Sequence, residues 1–94
     1  QNDRKMQTFR NSLSDMSNGE RGKGKLYGER EKLMRMYERM KNELQTYENN
    51  IGFLSISSKG GGGLLKEMER KIDKLKDEMA LIIKKIDAID ENLE

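Results

Sequence analysis

The stretch NNIGFLSISSKGGGGLL, residues 49–65, decides the fold, because it lies between two segments that carry the same apolar repeat. In both segments apolar residues recur at alternating steps of three and four, a period of about 3.5 residues that is typical of a coiled-coil seam. The first seam comprises Leu26, Leu33, Tyr37, Met40, Leu44, Tyr47, Ile51 and Leu54. The second seam comprises Leu65, Met68, Ile72, Leu75, Met79, Ile82, Ile86, Ile89 and Leu93.

Two seams joined by a short glycine-containing connection predict an all-α fold, an antiparallel coiled-coil helical hairpin. When Leu54 is placed opposite Leu65, the two seams pair layer by layer, and only Arg30, opposite Ile89, interrupts the apolar pairs. A register shifted by one heptad also satisfies the spacing, so the loop length must choose between the two. The predicted hairpin covers residues 26–94, with arms at about 26–52 and 64–93 and a tip at 53–63.

A short N-terminal amphipathic helix is predicted for residues 1–16, where Met6, Phe9, Leu13 and Met16 recur at helical spacing. Residues 17–25 contain three glycines and an Asn-Gly turn signal, and they form the predicted linker. A hairpin alone buries its seam only partly. We therefore expect the N-terminal helix to pack at the open end of the hairpin, which is the end opposite the tip, or to exchange between two copies in a dimer. Apolar residues off the seam widen the surface there: Met34, Met36, Ala80, Leu81 and Ile83.

Composition excludes several kinds of chemistry. The 94 residues include no cysteine and no histidine, which removes disulfides, thiolate nucleophiles, imidazole bases and Cys/His zinc sites. Net charge is +2, and acidic and basic residues alternate as on exposed coiled-coil flanks. No apolar run approaches the length of a membrane span. We therefore predict a non-enzyme with no catalytic residues, metal ion, cofactor, small-molecule substrate or membrane partner.

The tip carries the main functional question. Gly52 is expected to end the first arm as a helix cap, and the apolar residues after it are expected to favour extended backbone. A phosphate-binding loop is disfavoured because Lys59 precedes the glycines, and a Ser-x-x-Lys pair would need serine where Ile56 stands. Two interpretations remain open: Phe53 and Ile56 dock a partner or another copy, or they fold back to plug the hairpin end.

These patterns favour a non-enzymatic protein-interaction or scaffolding module that binds a protein partner or self-associates. The candidate partner-binding residues lie at the tip and on the apolar open-end face, and they are Ile51, Phe53, Leu54, Ile56, Met36 and Ile83. The alternative is a nucleic-acid or ribosome-associated module that uses a basic N-terminal segment. Its cations are Arg4, Lys5, Arg10, Arg21, Lys23 and Lys25.

Residues 46–75, TYENNIGFLSISSKGGGGLLKEMERKIDKL, resemble the C-terminal coiled-coil region of Bacteroidetes proteins of the domain-of-unknown-function family 349. The resemblance runs from Tyr27 to Leu93 and is most specific at residues 49–53, followed by Ser58 and Lys59. The helical repeats that define that family are not visible in this sequence. The resemblance implies the tail of a longer cytoplasmic helical protein, which agrees with a chain that begins at Gln1, and it supplies no catalytic residues.

Overall fold

The fold consists of helices throughout the part of the chain that the computed structural model describes, residues 2–16, 22–57 and 62–93. Helix α1 spans Asn2–Met16, α2 spans Gly22–Ser57 and α3 spans Gly62–Leu93. Helices α2 and α3 pack against each other along an elongated molecule of 60 × 23 × 14 Å. The predicted all-α fold and the helical hairpin are confirmed.

The interface between α2 and α3 uses the predicted seam positions. On α2, Leu26 and Leu33 are buried. On α3, the buried seam residues are Ile72, Leu75, Met79, Ile82, Ile86 and Ile89. Because these side chains repeat with the coiled-coil period, one face of each helix stays in contact with the other over several turns.

Arg30, the charged residue in the first seam, avoids burial by bonding across the hairpin. Its Nε donates to Asp90 Oδ1 at 2.7 Å, and both side chains remain more than a third exposed. The hydrogen bond to Asp90, followed by the negative charge of that carboxylate, raises the pKa of Arg30. Asp90 follows Ile89 in sequence, so the guanidinium lies at the predicted level of the hairpin and reaches outward from the seam.

Helix α1 packs at the open end of its own hairpin, and it contacts both α2 and α3. Met6 and Leu13 are buried, with Leu13 0% exposed, while Phe9 and Met16 are half-buried. The resulting core is a cluster of residues from all three helices: Met6, Leu13, Leu26, Leu33, Ile82, Ile86, Ala88 and Ile89. A third helix thus supplies the cover that two helices cannot give each other.

The structure differs from the sequence interpretation at the tip, because α2 does not end at Gly52. The helix continues through Phe53, Leu54 and Ile56 to Ser57, so the expected extended backbone is wrong. One glycine costs a helix about 1 kcal/mol relative to alanine, which is too little to end a helix whose seam pattern continues past it. Helix α3 begins at Gly62, earlier than expected, and residues 58–61 lie outside the described part of the chain.

The second helix also begins earlier than the linker prediction allows. Gly22 is the first residue of α2, so residues 22–25 of the predicted linker are helical, while residues 17–21 lie outside the described part. The lysines at 23 and 25 are exposed, and the next residue, Leu26, is fully buried in the core. Packing of Leu26 against α1 and α3 therefore outweighs the low helix propensity of the glycines around it.

Candidate functional site

The hairpin has two long flanks, and they differ in what covers them. We call one the α1 flank: there Met36 and Leu81 pack against the core, and Lys85 Nζ lies 5.2 Å from the centre of the Phe9 ring. We call the other the Arg30 flank, marked by the ion pair between Arg30 and Asp90. Positions related by seven residues lie at nearly the same angle around a helix, so each flank can be followed along the whole hairpin.

The α1 flank extends well beyond α1 itself. At about 1.5 Å per residue, the 15 residues of α1 span about 22 Å, whereas the 36 residues of α2 span about 54 Å. Helix α1 therefore covers less than half of the flank. We call the part of the hairpin beyond Met40, residues 41–57 and 62–78, the distal half.

A shallow groove runs between α2 and α3 where the distal half begins, and we call it the distal groove. Its residues are Arg39, Met40, Glu43, Tyr47, Lys71, Lys74, Leu75 and Glu78. Leu75 is buried in its floor, Met40 and Tyr47 are half-buried, and the charged side chains form its two rims. The groove thus combines an apolar floor with rims of both signs, which is the pattern that an amphipathic helix would complete.

Burial of the seam falls along α2 from the open end to the tip. Leu26 and Leu33 are buried under α1, but Leu44, Tyr47 and Ile51 are only half-buried. On α3 the seam is buried from Ile72 to Ile89, and Leu65 and Met68 near the tip are half-buried as well. Two helices cover only one side of each other, so these apolar side chains keep part of their surface in water.

The predicted tip residues lie at the end of α2 and do not form a separate loop. Ile51 is half-buried in the seam, and the Phe53 side chain is 70% exposed two residues later. Leu54 and Ile56 belong to α2, but their side chains lie outside the described part of the structure. Neither the docking interpretation nor the plug interpretation of Ile56 is tested by these positions.

Met36 and Ile83, predicted to share one apolar face, lie on different flanks. Met36 packs against the core on the α1 flank, whereas Ile83 is 42% exposed and lies seven residues from Asp90, on the Arg30 flank. Tyr27 and Met34 are exposed on that same flank, and they line a second shallow groove with Arg30, Glu31, Arg35 and Glu38. The broad open-end face is therefore divided into a covered part and an exposed strip.

Sequence reasoning missed Leu64, which is 51% exposed at the start of α3. The heptad pattern contained the signal, because Leu64 precedes Lys71 by seven residues and Phe53 follows Arg39 by fourteen. Both apolar side chains therefore fall on the α1 flank, beyond the distal groove. The apolar surface of that flank continues to the end of the hairpin.

The predicted basic segment does not form a patch of one sign on the described residues. Arg4, Lys5 and Arg10 are exposed on α1, but steps of about 100° per residue direct them to different sides of the helix. The groove beside α1 also mixes charges, with Asp3, Arg10, Lys84, Asp87 and Glu91 among its residues. Lys23 and Lys25 are exposed at the start of α2, and Arg21 lies outside the described part.

The described residues contain no group of three or more Asp or Glu side chains placed to hold a metal ion. None of the described helices is both long enough and apolar enough to cross a membrane. What the described surface offers is shallow grooves with apolar floors and charged rims. The groove beside α1 and the distal groove lie between helices, and the groove at Tyr27 and Met34 lies on α2 alone. Such grooves suit contact with another helix better than enclosure of a small molecule.

No protein-family model matches this chain, and neither a curated protein nor a solved structure is similar enough to count as a match.

Proposed function

We propose that this chain is a non-enzymatic protein-interaction module that docks a helical partner through the α1 flank of its distal half. The observation that carries the proposal is the loss of burial along α2. Leu26 and Leu33 are buried where α1 covers the hairpin, and Leu44, Tyr47 and Ile51 are half-buried where it does not. A partner helix in the distal half would play the part that α1 plays at the open end.

The physical basis for docking is the apolar surface that remains in water. Covering such surface contributes roughly 25 cal/mol for each Å² removed from solvent. Phe53 and Leu64, at 70% and 51% exposed, extend this surface to the end of the hairpin and offer a large aromatic anchor. The charged rims of the distal groove would set the orientation and the choice of partner.

The length of the hairpin supports a scaffolding role within the same proposal. Two packed helices extend the distal half about 26 Å beyond the level of Met40, at about 1.5 Å for each of its 17 residues per helix. Such an arm would present the docking surface at a distance from the open end. With the resemblance to family 349, we place it in the cytoplasm, as a tail of a longer bacterial protein.

The proposal predicts that apolar side chains near the tip carry partner capture. A tagged chain is crosslinked in lysate of cells that also express an untagged copy, so that either a different protein or a second copy is captured. We expect Phe53→Asp with Leu64→Asp to reduce capture about tenfold or more, because two charges would enter the apolar contact. Circular dichroism must first show the variant to be as helical as the parent.

The matched control is Tyr27→Asp with Met34→Asp, which adds the same charge to two exposed apolar positions on the Arg30 flank. Docking through the distal half is supported if the control variant still captures the partner and the Phe53→Asp, Leu64→Asp variant does not. Equal capture by the parent chain and the Phe53→Asp, Leu64→Asp variant would reject the proposal. Capture that weakens steeply with added salt would instead indicate phosphate binding by the basic N-terminal segment.

A further inference from the structure

We infer that the partner for the distal half is a second copy of this chain, packed antiparallel with its own distal half on the α1 flank. The inference rests on the proposed function, because it names the occupant of the same surface. In this arrangement four helices, α2 and α3 from each copy, form a short bundle. An α1 helix closes each end.

Continuity with the α1 interface is the first argument. The distal groove begins with Arg39 and Met40, directly beyond Met36, and Met40 itself packs against the core that α1 completes. A helix that enters the groove therefore continues the layer that α1 begins. The same flank of the hairpin would be covered by α1 at the open end and by the partner in the distal half.

The length of the flank beyond α1 is the second argument. The distal half contains 17 residues of α2 and 17 residues of α3, about 26 Å of each helix. Two such halves placed antiparallel overlap along this whole length before either hairpin end meets an α1 helix. The end of each hairpin, with Phe53 and Leu64 on the α1 flank, then reaches the α1 helix of the other copy. Helix α1 thus sets where the overlap stops.

Charge balance is the third argument. The rims carry cations at Arg39, Lys71 and Lys74 and carboxylates at Glu43 and Glu78. Glu67 adds a third carboxylate, with its Oε1 3.8 Å from Lys71 Nζ. A contact between two identical surfaces must be self-complementary, and a rim with equal numbers of both signs can meet a copy of itself without net repulsion.

Sedimentation equilibrium on the full chain tests the inference. We expect a reversible dimer. We expect Lys71→Glu with Lys74→Glu to raise its dissociation constant about tenfold or more, because like charges then face each other. Glu43→Lys with Glu78→Lys should weaken it similarly by making the rims basic. An equimolar mixture of the two variants should associate again, since one surface is then acidic and the other basic.

The control is Lys41→Glu with Lys76→Glu, which makes the same change in net charge at exposed positions on the Arg30 flank. These positions follow Met34 and precede Ile83 by seven residues, so the control should leave the dimer unchanged. Circular dichroism checks that all three variants remain equally helical. Equal weakening by the control and the test variants would overturn the inference, since net charge and not this flank would then govern association.

The orientation can be measured separately by spin labelling, because the chain contains no natural cysteine that would also take the label. A nitroxide on Thr46→Cys would lie near the middle of the distal half on the α1 flank, seven residues after Arg39. A nitroxide on Gln45→Cys points about 100° away. Pulsed electron paramagnetic resonance measures the distance between the labels on the two copies. We expect a short distance for residue 46 and a longer one for residue 45. The reverse order would place the contact on the other flank.

A chain that remains monomeric at about 1 mM would overturn this inference, because association weaker than that corresponds to only a few good contacts. It would not overturn the proposed function. In that case, capture of a different protein that is lost in the Phe53→Asp, Leu64→Asp variant would still support docking. If the parent chain neither dimerises nor captures a partner, both proposals are rejected.

Discussion

At the scale of single residues, two isoleucines of α3 show how position on the helix determines the role of a side chain. Ile89 is fully buried in the core cluster, and Ile83, six residues earlier, is 42% exposed. Six steps of about 100° turn the two side chains about 120° apart. One therefore packs against α2 in the seam, and the other faces solvent on the Arg30 flank.

This difference predicts unequal effects of the same substitution. Ile89→Ala should lower the free energy of unfolding by about 2–5 kcal/mol, because it removes buried methyl groups and leaves a cavity. Ile83→Ala should change it by about 0.5 kcal/mol or less, since the side chain is largely in water. Urea unfolding followed by circular dichroism measures both. Similar losses for the two variants would mean that Ile83 is covered in solution.

Arg30 shows a different residue-scale effect, in which a charge within the seam fixes the level of the two arms. The guanidinium of Arg30 is charged at neutral and moderately alkaline pH, as arginine is at its ordinary pKa, so its favourable interaction with Asp90 is present there. The hydrogen bond to Asp90 raises the pKa of Arg30, so on the alkaline side this interaction is lost as the pH rises through that raised pKa. Since both side chains are more than a third exposed, the pair aligns the helices more than it stabilises them.

At the scale of elements, α2 is longer than its glycines suggest. Gly24, Gly28 and Gly52 all lie inside the helix, and a Cβ atom built on any of them meets nothing within 4 Å. None of the three adopts the left-handed backbone conformation that favours glycine. These glycines weaken α2 through backbone entropy, and no neighbouring group requires them to be small.

The prediction at this scale is that Gly52→Ala stabilises the protein. Alanine should raise the free energy of unfolding by about 0.5–1 kcal/mol and increase helicity, because Gly52 is an exposed position inside a helix. Thermal unfolding by circular dichroism measures the change, and Gly28→Ala in the same helix is the matched control. A destabilising Gly52→Ala beside a stabilising Gly28→Ala would restore the interpretation of Gly52 as a helix cap.

At the scale of the whole molecule, α1 divides the hairpin into two halves with different environments. The open end has a three-helix core that includes Leu13, whereas the distal half has two helices, and its seam is half-buried on α2 and buried on α3 only at Ile72 and Leu75. Local stability follows the number of buried apolar contacts. We therefore expect the distal half of the isolated chain to open more readily than the open end.

Releasing α1 should reverse this order of stability. Leu13→Asp places an unpaired carboxylate in a fully buried site, which costs several kcal/mol and should detach α1 from the hairpin. Hydrogen exchange by mass spectrometry should then show faster exchange in α1 and around Leu26 and Ile89, with little change in residues 41–57. Ser12→Asp, at the neighbouring exposed position, is the control. Faster exchange throughout the hairpin would show that α1 stabilises the chain as one cooperative unit.

The heptad pattern is local, so the sequence alone was enough to identify the hairpin, its seam and the amphipathic α1. The sequence also contained the information that Met36 and Leu64 lie on one flank and Ile83 on the other, since this follows from their spacing to other heptad positions. The end of α2 was not predictable from Gly52, because a local penalty of about 1 kcal/mol competes with a pattern that continues past it.

The sequence by itself thus determined the two arms, the N-terminal helix and the apolar face of each, because these depend on periodicity along the chain. It did not determine where α2 begins and ends. Only the tertiary structure decided that α1 covers its own hairpin, that it does so on the flank of Met36 and Leu81, and that the distal half stays uncovered. The physical reason is that both flanks offer apolar side chains near the open end. Packing of Leu13, Met6 and Phe9 against residues distant in sequence selects one of them.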